Sequence, residues 1–323
     1  VRNREVNCTV RSRFAVAVIV QAIRSGDEVA VRRSVEAICQ DHARTEIDLH
    51  VPGSPLSDDM LRALLEGLHA GILTLGLGLG GTHVSDASAS GFREALQRLL
   101  DLQSFNLYVN SQAMTDAMPI GIAQGLASAR SLRSLTLYFT STAVGDAGAA
   151  ALAAAIRGLR ALANLQIGLS YTAVTDAGVA SLADGVSLRG DSLAELGLTF
   201  NNTQVGSGAA AAIARALPRL RQTHNLWLGF YRSAVDDAGA ASVHRAAAEM
   251  PALKDVFIDF KHSAVEADDL QHVRSFAALQ RSVASLPERH HDREVAPAPA
   301  PWHCCPRRAA RVEALSETTP ALP

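Results

Sequence analysis

The sequence predicts a curved α/β solenoid, in which short parallel strands and helices alternate along the chain. Three observations predict it. An apolar-x-apolar-x-apolar strand pattern returns about every 30 residues. An apolar anchor residue and then an acidic or small polar residue follow each strand pattern at fixed distances. An apolar stripe with helical spacing closes each unit. Units of this kind, joined in series, place strand beside strand and helix beside helix.

The strand pattern indicates one buried face, because side chains alternate across a strand. The patterns begin at Ile47, Leu75, Phe105, Leu135, Leu165, Leu196, Leu226 and Val256. The matching anchors are Leu56, Val84, Met114, Val144, Val174, Val205, Val235 and Val265. A register kept over so many units predicts a single repeating architecture.

A polar column follows the anchors and predicts where each helix begins. It consists of Asp58, Asp86, Asp116, Asp146, Asp176, Ser207 and Asp237. Asp and Ser accept hydrogen bonds from the free N–H groups of a first helical turn, so we expect N-cap residues rather than catalytic carboxylates. The helix that follows buries an apolar stripe, as at Leu152 and Ile156.

The spacing of the two layers predicts the curvature. Packed helices need about 10 Å between their axes, whereas neighbouring strands lie about 4.8 Å apart. The helix layer therefore takes the larger radius, and the strands line the inside of the bend.

The units resemble leucine-rich repeats of the ribonuclease-inhibitor-like class. The resemblance covers residues 45–286 and rests on segments such as "LRSLTLYFTSTAVGDAGAAALAAAI" and "HNLWLGFYRSAVDDAGAASVHRAAA". It implies a horseshoe of about eight repeats, with parallel strands on the concave side and helices on the convex side. The family usually places Asn three residues after the second strand leucine, and only Asn110 and Asn201 match here. The turns after the strands therefore depart from the family pattern.

The two ends differ in composition from the repeats. Residues 1–44 are predicted to be an N-terminal capping segment, with Val31, Val35 and Ile38 on one face of a helix over residues 27–40. The alternative for Phe14–Ile23, which follows two arginines, is a signal-peptide core. Residues 287–323 are rich in Pro and Ala and are predicted to be a disordered tail.

Overall composition and charge argue against several classes of partner. The formal net charge of -2 gives no global attraction to nucleic acid or to anionic membranes. No apolar run reaches the ~18 residues that a bilayer requires. The 4 cysteines lie near the chain ends, which favours a cytoplasmic protein without a disulfide framework. We therefore expect neither nucleic acid nor a membrane as partner.

Motifs that would indicate an enzyme, a metal or a cofactor are weak. The run "GLGLGG" from Gly76 to Gly81 matches G-x-G-x-x-G, but its leucines keep the register of the repeat core, and the expected acidic partner is absent. The tail residues His303, Cys304 and Cys305 lack the spacing of a zinc site. The sequence predicts a non-enzymatic protein without cofactor or metal.

The concave face carries aromatic side chains that have no core to fill. Two adjacent-repeat pairs, Tyr108/Tyr138 and Trp227/Phe257, flank a floor of small residues that is predicted to include Gly168. The predicted binding residues are Tyr108, Tyr138, Gln166, Thr199, Trp227 and Phe257, with Tyr171, Tyr231, Arg232 and Lys261 in the loops beyond. Tyr, Trp and Arg dominate interface hot spots.

These residues predict a monomeric scaffold that binds a protein partner through its concave face. The resemblance leaves an alternative, a regulator of an enzyme of the GTPase-activating or inhibitor type. Another alternative is a structural assembly element that uses the ends of the solenoid. The plainest one is a set of solvated aromatic residues that merely favour strands.

Overall fold

A computed structural model describes residues 20–26, 28–41 and 43–286 of the chain. These residues form a curved α/β solenoid, as predicted. The strands are β1 (Glu46–His50), β2 (Thr74–Gly78), β3 (Ser104–Val109), β4 (Ser134–Phe139), β5 (Asn164–Gly168), β6 (Glu195–Thr199), β7 (Asn225–Gly229), β8 (Asp255–Asp259) and β9 (His272–Val273). The helices are α1 (Glu28–Cys39), α2 (Asp58–Gly67), α3 (Ala89–Arg98), α4 (Ala117–Leu126), α5 (Asp146–Gly158), α6 (Asp176–Ser187), α7 (Ser207–Ala216), α8 (Asp237–Ala248), α9 (Asp268–Gln271) and α10 (Phe276–Ala284). Short 3₁₀ turns lie at Asp86–Ser88 and Leu217–Arg219.

The strands pair in chain order, and β1 to β8 are parallel. The pairing confirms the predicted register. Leu135 lies opposite Leu165, Leu165 opposite Leu196, and Leu226 opposite Val256. Each helix from α3 to α8 contacts the helix of the next repeat, so every repeat buries its apolar stripe against its neighbours.

The core lies between the sheet and the helices and contains the residues that the pattern selects. The eight anchors are all buried, and so are the helical stripe residues Leu152 and Ile156. In the later repeats, the third apolar residue of the triplet is phenylalanine, and these rings pack against one another. The ring centroids are 5.7 Å apart for Phe200 and Phe230, which are tilted, and 5.1 Å apart for Phe230 and Phe260, which are stacked. The apolar register therefore continues as a column through the solenoid.

The polar column does not have the predicted geometry, because its side chains cap the neighbouring repeat rather than their own helix. The N-cap of α6 is Thr175, one residue before Asp176. Asp146 at the start of α5 accepts hydrogen bonds from Thr175 N at 2.8 Å, Thr175 Oγ1 at 2.6 Å and Gly178 N at 2.9 Å. A carboxylate has more acceptor sites than one helix start uses, so it can bind the free N–H groups of the next helix.

The same cross-repeat bond recurs along the solenoid. The carboxylates accept from backbone N–H groups just before the next helix: Asp58 from Ser85 N, Asp86 from Thr115 N and Asp116 from Gly145 N. The Ser207 hydroxyl both accepts a hydrogen bond from Asp236 N at 3.1 Å and donates one to Asp236 Oδ1 at 2.6 Å. That bond lowers the pKa of the Asp236 carboxyl. The column therefore joins adjacent repeats.

Replacing Asp146 with alanine should lower the free energy of unfolding by ~1 to 3 kcal/mol, because three donors at the start of α6 lose their acceptor. The matched control is Asp184→Ala, an exposed aspartate within α6, which should change stability by less than ~0.5 kcal/mol. Urea denaturation of both variants measures the difference. Equal stabilities would show that the cross-repeat bonds contribute nothing.

A residue in the left-handed conformation follows every parallel strand except β3, one position after the column in which the family has asparagine. Gly53, Gly81, Ser141, Tyr171, Asn202, Arg232 and His262 have φ between 52° and 70°. The next residue is Ser or Thr, whose hydroxyl often donates to the carbonyl three residues earlier, as Thr172 does to Leu169 O at 2.7 Å. Asn201 is a partial match to the family, since its Oδ1 accepts from Tyr231 N at 2.9 Å.

The C-terminal end departs from the strand, anchor and helix order of the other units. The chain forms the short helix α9, then β9 antiparallel to β8, and then α10. Val273 on β9 pairs with Ile258. A terminal strand exposes unpaired N–H and C=O groups, and β9 pairs with part of that edge. Ala267, where other units have Asp or Ser, is the only sequence sign of this change.

A buried histidine lies under the terminal helix. His244 on α8 is fully buried, and its Nδ1 lies 2.8 Å from Ser282 Oγ on α10. Its ring centroid lies 5.8 Å from that of Phe260. Burial lowers the pKa of His244 to about 4, although the Asp269 carboxylate opposes this shift. A neutral imidazole thus joins the last full repeat to α10.

The capping segment and the disordered tail remain predictions. Helix α1 forms within the predicted capping segment and contacts α2, but the side chains of Val31, Val35 and Ile38 lie outside the described residues. Most of Phe14–Ile23 and all of the predicted tail, residues 287–323, also lie outside them.

Candidate functional site

The concave face carries three rows of outward side chains, one more than the sequence pattern suggested. Two rows occupy the positions between the apolar residues of each strand, with Trp227 in one row and Tyr138 in the other. The third row lies one residue before each apolar triplet and includes Glu195, Asn225 and Asp255. Strand alternation places that residue on the same face as the other two rows. A pattern that begins at the first apolar residue passes over it.

The Tyr108/Tyr138 pair forms as predicted and stands on one side of the face. The two rings are stacked, with centroids 5.3 Å apart and an interplanar angle of 9°. The Tyr138 hydroxyl donates to Gln166 Oε1 at 3.2 Å. Burial, together with the neighbouring Tyr108, raises the pKa of Tyr138. Tyr138 is therefore fixed against its neighbours, whereas Tyr108 is the more exposed ring.

The small-residue floor is narrower than predicted. The ring of Tyr138 covers Gly168, and a Cβ added to Gly168 would collide with that ring. Gly229 likewise lies under the side chains of Thr199 and Asn201. These glycines allow a side chain of the preceding strand to lie flat on the sheet. The part of the floor that lines the accessible groove consists of Gly197 and Thr199.

The Trp227/Phe257 pair stands on the other side of the floor. The ring centroids are 4.8 Å apart, with the planes tilted by 40°. Trp227 is 55% exposed, which is unusual for so large an apolar side chain. Phe257 also meets His272 of β9 edge-on, with centroids 5.1 Å apart. The antiparallel end strand thus supports one wall of the site.

A groove of ≈ 390 Å³ joins the two sides. Its lining consists of Tyr138, Gln166, Glu195, Leu196, Gly197, Thr199, Asn225, Leu226, Trp227, Asp255, Val256, Phe257 and Arg274. Five of the predicted residues therefore share one concavity: Tyr138, Gln166, Thr199, Trp227 and Phe257. Sequence reasoning missed Glu195, Asn225, Asp255 and Arg274. Arg274 follows β9, so only the tertiary fold brings it to the groove.

The five remaining predicted residues, Tyr108 among them, lie outside the groove lining. Tyr171, Tyr231, Arg232 and Lys261 are in the turns after the strands, and Tyr171 and Arg232 occupy the left-handed position. Tyr231 packs against the His262 ring at 5.1 Å and lies 5.4 Å from the Arg232 guanidinium carbon. These turns form a separate aromatic and basic edge.

Neither a metal centre nor a membrane span is visible in the described ranges. There, no three His, Cys, Asp or Glu side chains are grouped so that they could hold a metal ion. Over the same residues, no helix is both long enough and apolar enough to cross a bilayer.

The repeating unit decides the fold. Each of β1 to β8 carries apolar residues, chiefly leucine, at alternate buried positions, and a buried anchor and a helix follow at a spacing of about 30 residues. The chain has a leucine-rich-repeat fold.

Comparisons with known proteins give no family or curated relative. No protein-family model matches the chain, and no curated protein matches it. Among solved structures, it is similar to an internalin from Listeria monocytogenes, at 14% identity over 77% of this chain and 92% of that one, with a TM-score of 0.26. It is similar to the plant peptide hormone receptor RGFR1 in complex with RGF2, at 10% identity over 71% of this chain and 38% of that one, with a TM-score of 0.31.

A third similar structure is the yeast Rad7–Elc1 complex. The identity is 14% over 83% of this chain and 92% of that one, with a TM-score of 0.27. At such identities and scores, the function of this leucine-rich-repeat chain has to be argued from its own residues.

Proposed function

We propose that this leucine-rich-repeat chain is a non-enzymatic scaffold that binds a protein partner through the groove of its concave face. The observation that carries the proposal is the exposed Trp227, paired with Phe257 beside an open floor. Large exposed aromatic side chains in a concavity are typical of interface hot spots. The fold needs neither ring for its core, because both stand on the solvent side of the sheet.

The proposal includes the ribonuclease-inhibitor-like class and a cytoplasmic, monomeric protein. A full helix of ten residues or more behind most strands supports the class, as in α5 with its 13 residues. The low cysteine content, 4 in 323 residues, supports a reducing compartment.

Site-directed crosslinking followed by affinity measurement tests the proposal. A photo-crosslinking amino acid at position 227 should capture the partner, and the same amino acid at position 188 should not. Leu188 is the matched control, because it is 58% exposed against 55% for Trp227 but lies at the end of α6. With the captured partner purified, Trp227→Ala should weaken binding by about thirtyfold, as the loss of ~2 kcal/mol at a hot spot implies.

Calorimetric titration measures the affinity of both variants, and Leu188→Ala should leave it unchanged. Normal binding by Trp227→Ala together with weak binding by Leu188→Ala would place the partner on the helix side and refute the concave site. Melting curves of both variants should match the parent protein, since neither side chain is part of the core.

A further inference from the structure

The charges around the groove determine which peptide segment of a partner it favours. Glu195 and Asp255 lie on β6 and β8, with Asn225 of β7 between them. Asn225 Nδ2 donates to Glu195 Oε1 at 3.1 Å. Among the described residues, neither carboxylate is in an ion pair. Two carboxylates that form no ion pair among the described residues therefore line the groove.

The carboxylates lie next to the aromatic wall. Asn225 precedes Trp227 by two strand residues, so the acidic row and the aromatic row are ~6.6 Å apart along the strands. A lysine or arginine side chain spans such a distance: its aliphatic stem packs on an aromatic ring while its charged head reaches the carboxylates. Arg274 comes directly after the Val273–Ile258 pair, so it lines the groove on the β8 side and disfavours a second cation there.

The length of the groove sets the length of the segment. Its lining runs across the strands from Tyr138 on β4 to Phe257 on β8. Four strand spacings of ~4.8 Å make ~19 Å, which an extended chain at ~3.3 Å per residue covers with about six residues. Alternate side chains of an extended chain recur every ~6.6 Å on one face, so about three of them point to the floor. Gly197 and Thr199 line that floor between the two aromatic sides.

We propose that the groove selects an extended segment of about six residues that carries a lysine or arginine beside apolar side chains. The cation lies at Glu195 and Asp255, and the apolar side chains contact Trp227, Phe257 and Tyr138. This inference rests on the proposed function, because it describes the partner of the same concave face. It adds a charge preference that the aromatic residues alone do not require.

A pair of defined peptides tests the charge preference. Ac-Thr-Lys-Thr-Leu-Thr-Leu-NH₂ and the same peptide with Glu in place of Lys are titrated into the full chain with Trp302→Phe. The chain has 2 tryptophans, so the fluorescence then reports on Trp227 alone. The lysine peptide should give a saturable change and bind at least tenfold more tightly than the glutamate peptide. The preference should weaken as NaCl is raised from about 50 to 500 mM.

A double variant, Glu195→Gln with Asp255→Asn, locates the charge that is recognised. It should reduce the preference for the lysine peptide to less than twofold. The matched control, Asp184→Asn with Asp191→Asn, removes two exposed carboxylates elsewhere and should leave the preference unchanged.

Three results would overturn the inference and leave the proposed function standing. These are equal binding of the two peptides, a preference that survives in the Glu195/Asp255 variant, and the absence of any response while the crosslinked partner still depends on Trp227. Failure of the crosslink at position 227 would instead refute the concave site itself.

Discussion

Replacing Leu152 with alanine is expected to lower the free energy of unfolding by ~2 to 5 kcal/mol. Leu152 is 1% exposed and lies on α5 in the middle of the solenoid, between the neighbouring helices α4 and α6. The truncation leaves a cavity that neighbours on both sides cannot fill without moving. Chemical denaturation followed by circular dichroism measures the loss.

The control for this cavity is Ala154→Ser, which lies two residues further on the same helix. Ala154 is exposed, so the substitution should cost only the difference in helix propensity, below ~0.7 kcal/mol. If the two variants unfolded at the same denaturant concentration, the apolar stripe would not be the buried face of the helix.

Lowering the pH from about 6.5 to 4 is expected to remove about 3 kcal/mol of stability through His244 alone. The native state keeps this imidazole neutral down to a pKa of about 4. The unfolded chain takes up the proton near pH 6.5, the ordinary value for histidine. Stability is therefore complete above pH 6.5, falls as the pH drops towards 4, and falls no further below that through this group.

The variant His244→Gln lacks the titrating group, and the exposed histidine variant His83→Gln is its control. Denaturation curves at pH 7, 5.5 and 4 should show a smaller acid-induced loss for His244→Gln than for the parent and for His83→Gln. Because other groups titrate in all three proteins, the difference between the curves is the measured quantity. The same pH dependence in all three would show that His244 carries no proton linkage.

The architecture could be predicted from the sequence because it depends on local periodicity. The apolar triplets, the anchors and the helical stripe each repeat within about 30 residues, and burial selects for them one unit at a time. The Asp column was found for the same reason, but its role was predicted wrongly. Asp146 satisfies donors of the next repeat, and a pattern along one unit does not show which neighbour a side chain reaches.

The site was predictable in part for a related reason. The aromatic pairs follow from the register, because Tyr108 and Tyr138, like Trp227 and Phe257, hold the same position in adjacent units. The ring of Tyr138 over Gly168 was not foreseen, since the direction in which a side chain leans depends on the space beside it.

Period-two and helical patterns act locally, so the amino-acid sequence fixes the repeat, its register and the face on which each strand side chain stands. The shape and charge of the groove depend instead on how distant segments pack. Arg274 reaches the groove because β9 turns back along β8, and Glu195 and Asp255 both line it because β6, β7 and β8 lie side by side in the sheet. Such contacts join residues from different repeats. Packing between repeats stabilises them, and the pattern within a single repeat does not reveal them.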